Sequence, residues 1–259
     1  MALQRLESCL RGLAGAGEHV VIALSGGVDS SLLAAVAGRQ LGGASVPVSA
    51  VTITSELGFA RDANAARVVA AEAGIEHVCL PVSLLDDEGI RANGPDRCYW
   101  CKRAMFSAMR RCFGDRAVIM DGTTADDDPQ RPGMRAAAEH GVVSPLARAC
   151  LVKEAVCREA RLLGVSTHDR PSDSCRATRI ATGTDLRAVP LIMVETIEEL
   201  LLAKGLRHVR LLVDELMITA RHAPHNGGID DFLRSDVHAL AARYGYERVR
   251  FAPWEHWDG

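Results

Sequence analysis

Residues 19–24, His-Val-Val-Ile-Ala-Leu, form a near-continuous apolar run, and Ser25-Gly26-Gly27-Val28-Asp29-Ser30-Ser31 follows it directly, leading into the helical stretch SLLAAVAGRQL. A strand covered on both faces reads as an unbroken apolar run, so this one predicts a buried parallel strand. Two glycines at the strand's end permit a tight turn and close approach of another group to the backbone. The amides of such a loop, with those of the first helical turn, point at one place where an anion is favoured by the helix dipole. Ser25, Ser30 and Ser31 can add hydroxyl donors. No G-x-x-x-x-G-K-[ST] is present, so the loop is not the one that handles a γ-phosphate in ordinary nucleoside triphosphatases. A glycine turn with a serine cap would explain part of the string. Asp29 would suit the first turn of any helix. The seven residues together, after an apolar strand, point to a phosphate.

The rest of the chain repeats the rhythm. Residues 46–53, 75–80 and 117–120 read as strands, and 59–73 and roughly 101–113 as helices. The fold class predicted is α/β, a doubly wound parallel sheet with a small C-terminal α+β domain. Loops 25–27 and 121–133 both follow strands and therefore fall at the sheet's carboxyl edge, where such folds bind ligands. Residues 151–163 read as a helix ended by Gly164, and 165–184 as a functional loop and domain boundary. The division expected is 1–180 and 181–259. The second part should hold helices near 187–204 and 230–244, strands within 208–221 and near 246–251, and a turn at His225-Asn226-Gly227-Gly228.

Composition narrows the class. The 259 residues are 48% hydrophobic and 24% charged, enough for a large core, and the net charge is −3. That charge argues against a sequence-independent nucleic-acid binder. The amphipathic start MALQRLESCLRGLAG lacks the features of a signal peptide, and no apolar stretch reaches membrane-spanning length. A cytoplasmic protein without a membrane partner is expected, and a homo-oligomer is compatible with it. The eight irregularly spaced cysteines then suggest metal or catalytic thiols rather than a disulfide framework.

Cys98 and Cys101 form a C-x-x-C pair, half of a structural zinc site. Cys175 lies among Arg170, Arg176 and Arg179, cations that favour a thiolate, the form needed for sulfur chemistry and for metal ligation alike. Cys98, Cys101 and Cys175 could together hold an iron–sulfur cluster with one iron left open. The other cysteines fit as small apolar fillers, and His77, His168, His222 and His225 lack ligand spacing.

SGGVDSS resembles the PP-loop of ATP pyrophosphatases, which split ATP between its α and β phosphates. The resemblance implies that Ser25, Gly26, Gly27, Asp29, Ser30 and Ser31 hold pyrophosphate, with Mg2+. RCYWCKRAMF (97–106), DGTTADD with RPG (121–133), GVVSPL (141–146) and Pro-Ser-x-Ser-Cys-x-x-x-Arg-Ile (171–180) follow in that order. The whole set is similar to the LarE family, ATP-dependent sacrificial sulfur transferases that help build the nickel-pincer cofactor. In that family a pyridinium biscarboxylate mononucleotide is adenylated and receives sulfur. The resemblance implies that Cys175 gives up its own sulfur, or that a [4Fe-4S] cluster on Cys98, Cys101 and Cys175 carries a sulfide. It gives Arg179 a catalytic role and places Trp100 near the substrate. Asp121, Gly122, Thr123 and Asp126 would lie near the nucleotide, although a polar turn after a strand would look the same. Arg131 matches the family RPG. Glu199 and Arg210 match, loosely, a metal-binding glutamate and a phosphate-binding arginine. The family's V-R-V-R is Val209-Arg210-Leu211-Leu212 here, and its P-Y-G-T is Ala181-Thr182-Gly183-Thr184.

The function expected is therefore adenylation of a small nucleotide-like carboxylate and replacement of its oxygen by sulfur. Two enzymatic alternatives share the loop: a tRNA thiolase, and an amide-forming synthetase of the NAD or GMP type. A nucleotide-sensing module without chemistry is the third.

Overall fold

The computed structural model describes residues 2–15, 19–42, 46–206, 208–214, 217–222 and 229–253. The expected turn at 225–228 lies outside them. The elements, in chain order, are α1 (Ala2–Ala14), β1 (His19–Ala23), α2 (Val28–Leu41), β2 (Val48–Thr54), α3 (Ala60–Ala73), β3 (Glu76–Pro81), α4 (Glu88–Arg91), α5 (Arg97–Phe113), β4 (Ala117–Met120), α6 (Pro132–Glu139), α7 (Pro145–Arg148) and α8 (Lys153–Leu162). A 3-10 turn (Arg176–Arg179), α9 (Ala188–Ala203), β5 (Arg210–Val213), β6 (Met217–His222), α10 (Asp231–Arg243) and β7 (Arg248–Pro253) follow. No helix among the described residues is long and apolar enough to cross a membrane.

The chain divides into two compact units. The first is Met1–Leu84 with Asp96–Asp173, the second Leu85–Pro95 with Ser174–Gly259. In the first unit four parallel strands are ordered β3-β2-β1-β4. Because side chains alternate along a strand, β1 feeds two cores. Val20 and Ile22 pack with Leu32, Leu33 and Val36 of α2, Val69 of α3, Leu10 of α1 and Val156 of α8. Val21 packs on the other face with Ile119 of β4 and with Phe106 and Met109 of α5. This double coverage is why residues 20–24 read as one apolar run. The chain steps outward from β1 to β2 and β3, then returns to place β4 on the opposite side of β1. The strand order thus reverses between β1 and β4, which opens the crevice where α/β sheets take ligands.

Helix α5 begins at Arg97, four residues before the predicted start, so the whole C-x-x-C lies inside it. The second unit has β5 antiparallel to β6 and β6 parallel to β7, beside α9 and α10, the small α+β domain expected. Its boundary falls at 173/174 rather than 180/181, and it also takes in 85–95. The reason is non-local. Asn93 donates to the carbonyls of Ile180 and Ala181, and Leu186 donates to that of Arg91. Arg179, wholly buried, bonds through Nε and Nη2 to both carboxylate oxygens of the equally buried Glu198 on α9, at 2.8 and 3.1 Å.

Two substitutions test this packing. Gly38 lies mid-helix in α2, where alanine would ordinarily be favoured by about 1 kcal/mol. A Cβ there would drive into the carbonyl of Ala73 at the end of α3, with the carbonyl carbon at 3.0 Å. Backbone cannot yield cheaply, so Gly38→Ala is expected to destabilise the first unit by about 1–3 kcal/mol in chemical denaturation. Glu198→Ala would strand a buried guanidinium, and a loss on the order of 3 kcal/mol is expected. A change below about 1 kcal/mol would show that other acceptors satisfy Arg179.

Candidate functional site

The crevice between β1 and β4 is built from two loops that touch through backbone. Beyond β1, Leu24 still donates to Val51, and then Gly26 turns the chain with φ +80°. A Cβ on Gly26 would collide with the carbonyl of Asp62 in the first turn of α3, and would stand 3.2 Å from the amide nitrogen of Ala66. Beyond β4, a Cβ on Gly122 would stand 2.7 Å from the amide nitrogen of Ser30. Only glycine fits at either place. The glycines of SGGVDSS and DGTTADD are thus matched parts of one construction.

Gly27 caps α2 without any side-chain bond to the first-turn amides, which therefore keep their donors for another acceptor. The serines shape the loop from within. Ser31 Oγ donates to the Gly27 carbonyl at 2.8 Å and Ser30 Oγ to the same oxygen at 3.2 Å. Ser25 N donates to Ser30 Oγ at 3.1 Å. Buried Ser30 and Ser31 hold the turn, while the Gly27 amide and Ser25 Oγ lie at its exposed rim.

Asp29 carries a strong ion pair. Both its oxygens accept from Lys153 Nζ, at 2.7 and 2.6 Å. Lys153 opens α8, and its amide donates to both oxygens of Asp126, at 2.9 and 3.1 Å. Asp126 is thereby an N-terminal anchor for α8, and the Lys153 amide, with Thr124 and the Lys153 ammonium, lowers its carboxyl below the ordinary range. Asp121, buried, accepts from Ser144 Oγ at 2.7 Å, Thr123 Oγ at 2.8 Å and Thr123 N at 3.2 Å. Arg131 stands exposed before α6, paired with Asp127 at 2.9 Å. The structure thus brings Asp29, Ser30, Gly122 and Asp126 together around the two loops, with Lys153 as the tie.

Cys98 and Cys101 are one turn apart on α5, Cys98 exposed and Cys101 buried. Trp100 lies between them, half-buried, with the Arg103 guanidinium 4.2 Å from its ring centroid and Tyr99 edge-on at 4.9 Å. All eight cysteines are thiols. Within either unit, no group of three or more described Cys, His, Asp or Glu residues is gathered for a metal.

In the second unit Cys175 precedes the 3-10 turn, and its carbonyl accepts from Thr178 N and Oγ1 at 3.0 and 2.8 Å. The arginines expected to favour its thiolate are engaged with glutamates. Arg176 pairs with Glu195 at 2.8 Å and Arg179 with Glu198. Arg179 also donates to the Ser174 carbonyl at 2.7 Å, so in this geometry it braces the cysteine loop from inside. Arg210 Nη2 reaches Ser174 Oγ at 3.2 Å. Glu199 is half-buried on α9 beside Glu198, the carboxylate that the fold encloses.

Sequence reasoning passed over Lys153, Glu198, Asp62 and the place of Arg170. Lys153 meets a residue 124 positions away, and nothing local to it signals that. Glu198 had a signal, since it follows the buried period Leu191, Val194, Ile197, Leu201 along α9.

Comparison with known proteins gives the chain's relatives. The asparagine synthase family model matches residues 2–109. An uncharacterised protein of Synechocystis is 34% identical over 215 residues, 82% of this chain and 78% of that protein. The pyridinium-3,5-bisthiocarboxylic acid mononucleotide synthase of Lactiplantibacillus plantarum is 29% identical over 197 residues, 75% of this chain and 71% of that protein. The solved NMN synthetase from Francisella tularensis matches with a TM-score of 0.48 and 16% identity over 67% of this chain and 76% of that one. The chain belongs to the LarE family of PP-loop ATP pyrophosphatases.

Proposed function

We propose that the protein uses ATP to adenylate a carboxylate of pyridinium-3,5-biscarboxylate mononucleotide and then replaces that oxygen with sulfur. The observation that carries the reading is the glycine-on-backbone crevice at Gly26 and Gly122, beside a helix N-terminus whose cap residue, Gly27, offers it no side chain. Such a cradle fits a diphosphate: its backbone leaves room for oxygens and its first-turn amides lack acceptors of their own. The relative from L. plantarum supplies the choice of acceptor and product.

Ser25, Gly27 and the first turn of α2 would hold the outer phosphates of ATP, with the Gly122–Thr123 loop alongside the nucleotide. With no three-donor group among the described residues of this unit, Mg2+ would enter on the triphosphate, held chiefly by phosphate oxygens as that ion commonly is. The substrate carboxylate attacks the α-phosphorus, the α–β bridge breaks, and pyrophosphate leaves with the electron pair. Positioning and charge neutralisation do most of this work. The acyl adenylate makes AMP the leaving group in place of a carboxylate oxygen, and sulfur at Cys175 attacks the acyl carbon. If Cys175 supplies its own sulfur, its thiolate displaces AMP to give a thioester, and loss of the Cα proton with cleavage of the Cβ–Sγ bond then releases the thiocarboxylate and leaves dehydroalanine. The other route is a [4Fe-4S] cluster with Cys98, Cys101 and Cys175 as its ligands, which would supply a bound sulfide.

The proposal makes adenylation separable from sulfur transfer. Cys175→Ala should keep ATP- and substrate-dependent pyrophosphate release and lose thiocarboxylate formation, as followed by a pyrophosphate assay beside product mass spectrometry. Pyrophosphate release with ammonia as acceptor and no need for Cys175 would move the protein to the amide-forming synthetases. Release that depends on tRNA would move it to the tRNA thiolases.

The sulfur source is read from the protein itself after anaerobic purification and one turnover. A colourless chain lighter by the mass of hydrogen sulfide is the result expected if Cys175 is consumed. A brown protein of unchanged mass, with colour lost in Cys98→Ala, is expected if a cluster carries the sulfide. A colourless chain of unchanged mass after product has formed would refute both routes.

A further inference from the structure

Arg170 precedes Cys175 by five residues, and its guanidinium is turned back to the phosphate loop. Nη1 donates to the Gly26 carbonyl at 2.9 Å, and Nη2 donates to Asp62 Oδ1 at 2.6 Å. The pair is largely enclosed, with side-chain exposures of 23% and 31%. Burial pushes the Asp62 carboxyl above its ordinary range, and Arg170 is the first group that pulls it back.

The carbonyl so captured is the informative part. A trans peptide is planar, so the oxygen of Gly26 and the N–H of Gly27 point in opposite directions. Holding the Gly26 oxygen against Arg170 turns the Gly27 N–H away from it, toward Ser25 Oγ, to which it donates at 3.4 Å at the exposed rim of the loop. Gly27 is extended, with φ −83° and ψ 159°, so the next peptide is turned relative to this one. The Gly27 oxygen is held by Ser31 N at 3.1 Å and Ser31 Oγ at 2.8 Å, which leaves the Val28 N–H directed out of the helix. With φ +80° at Gly26, this peptide has little intrinsic preference for either face, and Arg170 on its oxygen, with Ser25 Oγ on its N–H, holds one of them.

We propose that Arg170 is a positioning residue for the phosphate cradle: by capturing the Gly26 carbonyl it fixes the Gly27 amide toward the outer phosphates of the nucleotide, with Asp62 aiming the guanidinium. The assignment rests on the reading of loop 25–31 as the diphosphate site. Arg170 does not touch the nucleotide. Its effect is therefore confined to ligands that reach the cradle. AMP, which lacks the outer phosphates, gauges the remainder of the site.

The test is calorimetric titration of the full chain with inorganic diphosphate and Mg2+, and separately with AMP. Losing one charge-assisted bond that orients a donor predicts that Arg170→Gln weakens diphosphate roughly tenfold to a hundredfold while AMP affinity stays within about twofold. Arg170→Lys should recover part of the loss, since one ammonium serves two separate acceptors less well than a planar fork. Should the glutamine variant not fold, the lysine variant gives the same selective reading. Equal weakening of both ligands, or of neither, in the variants overturns the positioning role alone. A wild-type chain that binds AMP but no diphosphate overturns this role and the phosphate-loop reading together.

Discussion

Two strand ends meet in this protein closer than side chains allow, and the consequences run through the first unit. A Cβ on Gly122 would intrude on the amide of Ser30, and one on Gly26 on the carbonyl of Asp62. Backbone at that range excludes side chains and presents peptide dipoles, the strongest unscreened partners for a phosphate that a loop can offer. Parallel order around β1 creates the approach, because β2 and β4 lie on either side of it and their following loops leave the same edge. The apolar strand and the glycine loop are two demands of one geometry: the strand must be buried on both faces for the loops after β1 and β4 to converge.

Charges then hold the loops in place. Asp29 is tied to Lys153 and, through the same lysine's amide, α8 is tied to Asp126. Asp62 is tied to Arg170. The two ion pairs join segments 124 and 108 residues apart in sequence, and each cation comes from the stretch between α7 and the end of the first unit. Surface ion pairs are usually worth little. These are partly enclosed, and each cation makes two bonds, Lys153 to both oxygens of Asp29 and Arg170 to Asp62 and the Gly26 carbonyl, where a glycine turn has no conformational preference of its own. Their contribution lies in orientation more than in global stability.

The legible parts of the sequence were those with a local cause. The apolar runs at 19–24 and 46–53 announced parallel strands, since coverage on two faces leaves a signature in every residue. The seven residues from Ser25 announced the tight turn after β1, since φ above zero and close approach demand glycine at Gly26. The start of α5 was misjudged by four residues because Arg97-Cys98-Tyr99-Trp100 has no apolar period, and packing of Phe106 and Met109 extends the helix backward through it. The boundary between the units was illegible for a different reason: Asn93 and the carbonyls of Ile180 and Ala181 meet across 87 and 88 residues, a pairing that leaves no trace in local pattern. The partners of Arg176 and Arg179 were likewise hidden, as glutamates on α9 face them one helical turn apart, at 195 and 198.

That last pairing bears on how the cysteine loop can work. An arginine-rich surrounding suggested a positive field at Cys175, but two of the three arginines share their charge with carboxylates of their own unit, and Arg170 shares its with Asp62. Buried pairs of this kind cost much of what their attraction returns, and they are retained where they fix a shape. Arg179 fixes one here: its Nη1 holds the Ser174 carbonyl while its other nitrogens grip Glu198, so the backbone entering Cys175 is set by a fully enclosed guanidinium. The thiol is thus carried on a braced turn, with Thr178 closing it onto the Cys175 carbonyl. In the sulfur transfer proposed for Cys175, a fixed backbone would serve better than a diffuse positive field, because misplacement by about 1 Å already costs a large factor in rate.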